Sequence, residues 1–181
     1  FANLPLKLSK FLVLPEEKRE KFIRDISEYQ ILVEIISFCL MPNHFHFLLK
    51  QKVENGVSIF LSNFTNSYTK YFNTKNDRVG PLFQGLFKAV RIESDEQLIH
   101  VSRYIHLNPI SSFLIKADEL EEYKWSSYPE YISSITSKLI SKENVLDLFS
   151  KRDAHKKYEN FVLDQIDYAQ KLEQIKHLIL E

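Results

Sequence analysis

The chain has 181 residues, 44% of them hydrophobic and 27% charged, which is the balance of a globular protein that buries an apolar core. Its formal net charge is zero, and no apolar stretch approaches the roughly 20 residues that a membrane helix needs. No secretory signal pattern is visible, and the single cysteine, Cys39, excludes an internal disulfide. We therefore expect a cytoplasmic protein that does not enter a membrane.

The zero net charge hides an asymmetry along the chain. Residues 50–91 contain seven basic and two acidic residues, whereas residues 93–122 contain seven acidic and two basic residues. A basic region can bind nucleic-acid phosphates even when the whole chain is neutral. An unevenly charged surface exposed to water explains the same pattern, and composition alone leaves both interpretations open.

The first half of the chain predicts a helix followed by a β-hairpin. Residues 15–29 open with proline and two glutamates and carry apolar residues at helical spacing. Residues 31–40 are rich in β-branched side chains and predict a buried strand, and residues 44–50 predict the return strand. Pro42 bars a helix between them.

Two further elements follow the hairpin. Residues 57–72 repeat apolar side chains at i, i+3, i+4 and i+7, which predicts an amphipathic helix with Tyr68 and Tyr71 in the core. Residues 82–92 predict another strand, interrupted at Gly85.

The second half of the chain is expected to be helical. Ser94 and Gln97 are typical of a capping box, and the helix that they open should end near Asn108 because Pro109 follows. Residues 141–181 lack glycine and proline and predict one short and one long helix.

The segment "NHFHF" places two histidines, His44 and His46, in the predicted return strand. Side chains at i and i+2 of a strand point to the same face, so the imidazoles project together while Phe45 and Phe47 point into the core. Neutral imidazole is a common metal ligand, and an incomplete ligand set suits metal-assisted chemistry on a phosphate. A hydrogen-bonded structural pair on a half-exposed sheet explains the short pattern as well.

The second cluster is "RYIHLNP", residues 103–109. Tyr104 and Asn108 are four positions apart, so a helix presents them on one face, with His100 one turn earlier. Taken alone, Tyr104 is better explained as a boundary tyrosine whose hydroxyl lies in water.

Four segments in this order, "MPNHFHFLL", "GPLFQGLFKA", "RYIHLNP" and "YKWSSY", resemble the HUH-type single-tyrosine transposases, which are IS200-like, and within them the REP-associated branch. The resemblance spans about residues 31–131. It implies an α+β fold with a ferredoxin-like antiparallel sheet and helices packed on one face. It also implies a core of residues 1–131 and a helical extension of residues 132–181.

The resemblance assigns His44, His46 and Asn108 to a divalent metal, Mg²⁺ or Mn²⁺, and Tyr104 to the nucleophile. It implies a transposase that acts as a site-specific single-stranded DNA endonuclease and strand transferase through a 5′-phosphotyrosine intermediate. The expected substrate is hairpin-forming single-stranded DNA, and the expected state is a monomer or a homodimer.

The side chains expected to contact DNA lie in the basic region, and they are Lys70, Arg78, Gln84, Lys88 and Arg91. Trp125 is a candidate for stacking on bases. Two other functions stay open. One is a non-catalytic, domesticated protein that binds hairpin DNA or RNA. The other is a metal hydrolase in which water attacks the phosphate and Tyr104 is incidental.

Overall fold

The structure, a computed structural model, describes residues 10–11, 13–25, 30–134, 139–149 and 152–171. The elements within those ranges, in chain order, are α1 (Glu16–Asp25), β1 (Val33–Leu40), β2 (Phe45–Gln51), α2 (Gly56–Lys75), α3 (Asp95–Ser111), a 3₁₀ helix (Ala117–Glu122), α4 (Tyr128–Ile132), α5 (Glu143–Leu146), α6 (Ala154–Leu163) and helical residues 166–171. This mixture confirms the predicted α+β class.

The two strands form the predicted antiparallel hairpin. The connection that contains Pro42 closes with a hydrogen bond of 2.9 Å from the amide of Met41 to the carbonyl of His44. The sheet has two strands in the described ranges, so the wider ferredoxin-like sheet is not present there. Isolated bridges pair Cys39 of β1 with Ser126 and Ile35 with Ile140, which satisfies part of the outer edge of β1.

The predicted strand over residues 82–92 is wrong. These residues are extended or bent and pair with no strand in the described part of the chain. Leu86 and Val90 are 93% and 82% exposed, and Gly85 has a φ of +67°. Because a strand is stabilised by its partner's hydrogen bonds and by a buried face, an apolar alternation without either does not form one.

Helix α2 is longer than predicted, and only its first half is buried. Phe60 and Leu61 lie in the core, whereas Tyr68 and Tyr71 are 44% and 56% exposed. The expectation that both tyrosines are core residues is therefore wrong. The ring of Tyr68 packs instead against Phe83, at 6.1 Å between centroids, in a partly exposed aromatic cluster.

Helix α3 begins as predicted and ends later than predicted. Ser94 Oγ accepts a hydrogen bond from the amide of Gln97, and Gln97 Oε1 accepts one from the amide of Glu93. The helix passes through Pro109 and ends at Ser111. Near a helix terminus proline removes a single amide donor, and the buried packing of the last turn outweighs that loss.

The chain forms two compact units, one of Phe1–Glu34 with Lys50–Val90 and one of Ile35–Leu49 with Arg91–Glu181. In the second unit α6 packs against α3 and α4. A domain boundary at residue 131 stays a prediction. None of the helices in the described ranges combines the length and apolar character that crossing a membrane requires.

A buried histidine connects three elements of the second unit. His106 of α3 is fully buried, with Nδ1 at 2.7 Å from the hydroxyl of Tyr158 on α6 and Nε2 at 2.8 Å from Oγ of Ser127. Burial lowers the pKa of His106 to about 3, so the ring is neutral. Neutral imidazole with both nitrogens paired is well accommodated in an apolar core.

Gly56 is expected to tolerate no larger residue. A Cβ atom built at this position would overlap the carbonyl oxygen of Leu32 and lie 3.2 Å from a methyl group of Val53. The replacement Gly56→Ala should lower the free energy of unfolding by about 1–3 kcal/mol, because backbone must move to admit the methyl group. Urea unfolding measures this, with the exposed Ser58→Ala in the same helix as control. An unchanged midpoint for Gly56→Ala would show that the approach is not tight.

Cys39 should be unreactive in the folded protein. Its side chain is fully buried, and burial raises the pKa of the thiol to about 12, so roughly one thiol in ten thousand is ionised at pH 8. Iodoacetamide at pH 8, followed by mass spectrometry, should modify Cys39 in urea and leave it unmodified in buffer. An exposed cysteine introduced as Ser62→Cys serves as the reactive control. Rapid labelling of native Cys39 would contradict the burial.

Candidate active site

The hairpin places the two predicted histidines side by side. The ring centroids of His44 and His46 are 4.9 Å apart, and the rings meet edge-on at 86°. In the register set by the hydrogen bond from Met41 to His44, His46 lies opposite Cys39, which is fully buried. The histidine-bearing face is therefore the face that enters the core of this unit.

The expectation that Phe45 and Phe47 form the core while the histidines point away from it is wrong. Both phenylalanines are only half-buried, and Phe47 packs against Phe38 at 6.3 Å between ring centroids. His46 is itself half-buried. A strand of alternating aromatic and histidine residues does not specify which face a helix covers, and α3 packs on the histidine face.

His46 is neutral and carries an unsatisfied nitrogen. Burial, together with the adjacent imidazole of His44, lowers the pKa of His46 to about 4, while the side chain of Asn108 acts in the opposite direction. Nε2 of His46 is buried and has no hydrogen-bond partner among the described residues. A buried polar atom without a partner costs about 1–3 kcal/mol, so this nitrogen is a site at which a ligand would be stabilising.

His44 is oriented by its neighbour in the sequence. Its Nδ1 lies 2.6 Å from Oδ1 of Asn43, and an amide oxygen can only accept a hydrogen bond. The proton of neutral His44 therefore lies on Nδ1, and Nε2 keeps its lone pair. The exposed His44 and the half-buried His46 thus offer one imidazole nitrogen each.

Helix α3 brings Tyr104 and Asn108 to the same place. The ring of Tyr104 meets that of His46 edge-on, with 5.7 Å between centroids. Asn108 is 5% exposed, and its Nδ2 donates a hydrogen bond of 2.8 Å to the carbonyl of Tyr104. The side chain of Asn108 also lies near His46 and raises the pKa of that imidazole.

Tyr104 is far more accessible than the three buried tyrosines of this unit. Its side chain is 50% exposed, whereas Tyr128, Tyr131 and Tyr158 are fully buried. The phenol therefore lies beside a buried imidazole and is still open to a molecule arriving from solvent. This combination of a reachable hydroxyl and a shielded nitrogen is what nucleophilic attack on a bound phosphate requires.

The donor atoms fit a weakly held divalent cation. They are the imidazole nitrogens of His44 and His46 and the amide oxygen of Asn108, and the unsatisfied Nε2 of His46 is the observation that favours a ligand here. Across the described ranges no three His, Cys, Asp or Glu side chains lie together as a metal site. Three neutral donors leave coordination positions for substrate oxygens.

Two of the residues predicted to contact DNA lie close together. Lys70 and Arg78 line a polar cleft of about 700 Å³ in the first unit, between α2 and the loop that follows it. Both Nη atoms of Arg78 are engaged, with Oδ1 of Asn73 at 3.0 Å and the carbonyl of Pro81 at 2.9 Å. Arg78 therefore stabilises the loop that contains it, whereas the side chain of Lys70 is exposed to solvent.

The remaining predicted contacts are exposed. Gln84 and Lys88 lie in the irregular segment over residues 82–92, in its part that belongs to the first unit. Arg91 is the first residue of the stretch 91–181 of the second unit. Trp125 is 62% exposed, and its carbonyl accepts a hydrogen bond from the amide of Leu40 at the end of β1. Exposure permits contact with DNA and does not by itself indicate it.

No sequence pattern predicted the buried hydrogen bonds that join His106 of α3 to Ser127 and Tyr158. His106 and Ser127 occur in the segments "RYIHLNP" and "YKWSSY", which were recognised without a role for either residue. Tyr158 carried no signal, because a tyrosine in an amphipathic helix has no pattern that distinguishes a buried hydroxyl from an exposed one.

A family model described as "Transposase IS200 like" matches residues 13–108, which is more than half of the chain. The matched region contains the hairpin and α3 as far as Asn108. It therefore includes the four residues of the candidate site, which we call the cluster: His44, His46, Tyr104 and Asn108. The match does not distinguish the REP-associated branch, which stays a prediction. Neither a curated protein nor a solved structure matches the chain. The chain belongs to the IS200-like transposase family.

Proposed function

We propose that this transposase cuts hairpin-forming single-stranded DNA by attack of Tyr104 and rejoins the cut strand to a different 3′ end. Membership of the family supports a role in DNA transposition. The finer statement, with Tyr104 as nucleophile and His44, His46 and Asn108 as ligands of Mg²⁺ or Mn²⁺, is our inference from the cluster.

One observation carries the proposal: the half-exposed ring of Tyr104 lies 5.7 Å from that of His46, whose buried Nε2 no described residue satisfies. A histidine pair with a purely structural role would have both nitrogens hydrogen-bonded, as His106 does in the same unit. An unsatisfied nitrogen beside an accessible phenol instead favours a site that substrate completes.

The proposed reaction exchanges one phosphodiester bond for another. The phenolic oxygen of Tyr104 attacks the scissile phosphorus, the bond from phosphorus to the 3′ oxygen breaks, and the strand leaves with a free 3′-hydroxyl. The phenol loses its proton to solvent, and the 3′ oxygen gains one. The product is a 5′-phosphotyrosine, which conserves the energy of the broken bond.

The proposed ligands contribute through their protonation states and their fixed positions. His46 is neutral because it is buried, and His44 is held with its Nε2 lone pair available, so neither ring repels a cation. Asn108 stays in place because its Nδ2 is bonded to the carbonyl of Tyr104, one turn earlier. A divalent cation held by these residues would stabilise the negative charge that develops on the phosphate.

Strand transfer follows as the reverse of cleavage. A second 3′-hydroxyl attacks the phosphotyrosine, the strand is rejoined and the phenol of Tyr104 is released. Because the number and type of bonds are unchanged, the reaction needs no nucleotide cofactor. The exposed cations Lys70, Lys88 and Arg91 are proposed to contact the DNA backbone, each as one of several weak electrostatic contributions.

Replacement of Tyr104 by phenylalanine should abolish the covalent product. The change removes only the attacking oxygen, so adduct formation should fall by on the order of 1,000-fold or more. The assay is labelled hairpin-bearing single-stranded DNA with Mn²⁺, resolved on a denaturing gel. Tyr71→Phe, at a tyrosine of similar exposure on α2, is the matched control and should keep wild-type activity.

The same gel separates the alternatives. Cleavage that persists in Tyr104→Phe would indicate a hydrolase in which water attacks. Tight binding by the wild-type protein without any cleavage would indicate a non-catalytic binder of hairpin DNA or RNA.

Replacement of His46 by alanine should separate catalysis from binding. Cleavage should fall by on the order of 100-fold or more because a proposed ligand is lost, whereas the Kd for DNA should stay within about threefold. Cleavage is read on the gel, DNA affinity by fluorescence anisotropy and folding by thermal unfolding. The exposed His100→Ala on α3 is the control. A large loss of DNA affinity in His46→Ala would contradict this division of roles.

A further inference from the structure

The hydrogen bonds behind α3 form a chain with a single direction. The hydroxyl of Tyr158 donates to Oγ of Ser102 at 3.0 Å, and Ser102 donates to the carbonyl of Ile99 at 2.8 Å. Tyr158 must therefore accept its other hydrogen bond, of 2.7 Å, from Nδ1–H of His106. A neutral ring with its proton on Nδ1 has a lone pair on Nε2, which accepts from the hydroxyl of Ser127 at 2.8 Å. That contact is shorter than the alternative one of 3.3 Å from the same hydroxyl to the carbonyl of Phe38, so we assign the hydroxyl proton to His106.

Ser127 also bonds to the hairpin. Its Oγ accepts a hydrogen bond of 2.9 Å from the amide of Phe38 on β1, and its own amide donates to the carbonyl of Phe38 at 3.0 Å. One hydroxyl group thus touches both the strand beside the histidine-bearing strand and the helix that carries Tyr104. The spacing between α3 and the hairpin is therefore set by two short hydrogen bonds at one buried oxygen atom.

This chain of hydrogen bonds lies on the side of α3 that faces away from Tyr104 and Asn108. His106 is two residues from both Tyr104 and Asn108, which places it about 200° around the helix from Tyr104. Arg103 makes a second contact between α3 and α6. Its guanidinium stacks 4.0 Å from the ring centroid of Phe161 and donates a hydrogen bond of 3.2 Å to the Phe161 carbonyl. A displacement of α3 on this side moves Tyr104 relative to His46.

We propose that Ser127, His106 and Tyr158 are positioning residues, which hold α3 at the distance from the hairpin at which Tyr104 and the histidine pair act on one phosphate. The inference rests on the proposed function for its catalytic consequence. It assigns a role to Tyr158, which lies outside the region that the family model matches. A misplacement of about 1 Å can cost on the order of 100-fold in rate, so a small shift of the helix is measurable.

The experiment compares two tyrosines that differ only in what their hydroxyl groups connect. Tyr158 and Tyr131 are both fully buried in the same core, and each hydroxyl donates one hydrogen bond, from Tyr158 to Ser102 of α3 and from Tyr131 to the carbonyl of Ile36 at 2.8 Å. Tyr158→Phe breaks the chain to α3. Tyr131→Phe removes an equally buried hydrogen bond between α4 and β1.

Both variants should lower the Tm, Tyr158→Phe by more, because it also leaves Nδ1–H of His106 without a partner. At a temperature at which each is fully folded and at saturating DNA, Tyr158→Phe should form the covalent adduct about tenfold more slowly, whereas Tyr131→Phe should stay within about twofold of the wild-type protein. The Kd for DNA should change less than about twofold in both. Equal rates in the two variants would overturn the inference, since a general loss of core stability would then explain them.

A second readout does not need activity. Long-range ¹H–¹⁵N NMR of the metal-free protein should find the proton of His106 on Nδ1, and the ring signals of His46 should move in Tyr158→Phe and not in Tyr131→Phe. A proton on Nε2 of His106, or unmoved His46 signals, would overturn the proposed chain of hydrogen bonds even in an inactive protein.

Absence of any adduct from the wild-type protein would count against the proposed function alone. If Tyr158→Phe does not fold, Ser127→Ala tests the other end by the same criteria.

Discussion

The packing of α3 against the β-hairpin is the contact on which the site depends. Asn108 is almost completely buried there, with its amide nitrogen bonded to the carbonyl of Tyr104 and its side chain near His46. A register change of one residue in α3 would turn Tyr104 by about 100° and remove its ring from His46. The four residues come from two short segments, yet their arrangement exists only because this one interface is well defined.

The interface also gives the residues different environments. His46 is shielded, neutral and has an unsatisfied nitrogen among the described residues, while His44 and Tyr104 are reached from solvent. Burial therefore fixes the protonation of His46, and exposure of the outer residues leaves room for the phosphate that we propose to bind here. A metal hydrolase could share the histidines, but it would have no use for a half-exposed phenol held against one of them. This is why the geometry favours a tyrosine nucleophile.

The part of the chain beyond the family match contributes to the same interface. Helices α4 and α6 supply Tyr131 and Tyr158, whose fully buried rings are 4.7 Å apart and pack around His106. Both rings fill the core behind α3, but only the hydroxyl of Tyr158 bonds to His106 and Ser102 of that helix. A residue far from the proposed chemistry is thereby proposed to constrain it. Polar groups inside such a core specify one arrangement more strictly than apolar contacts do, because each needs a partner at a defined distance.

The sequence alone determined most of the local elements and which residues we propose as the reactive groups. Hydrophobic periodicity predicted α1, the hairpin, α2 and the start of α3, and motif resemblance indicated His44, His46, Tyr104 and Asn108. The element predictions succeed because period and capping are properties of neighbouring residues. The motifs also indicated the family, which the family match confirms.

Tertiary structure decided which faces are covered and where elements stop. The histidine face of the hairpin enters the core, Tyr68 and Tyr71 are exposed, residues 82–92 form no strand, and α3 continues through Pro109. Each outcome depends on a partner distant in sequence, since burial is a property of two surfaces and periodicity describes one. The chain from Ser127 through His106 to Tyr158 likewise joins residues that only folding brings together.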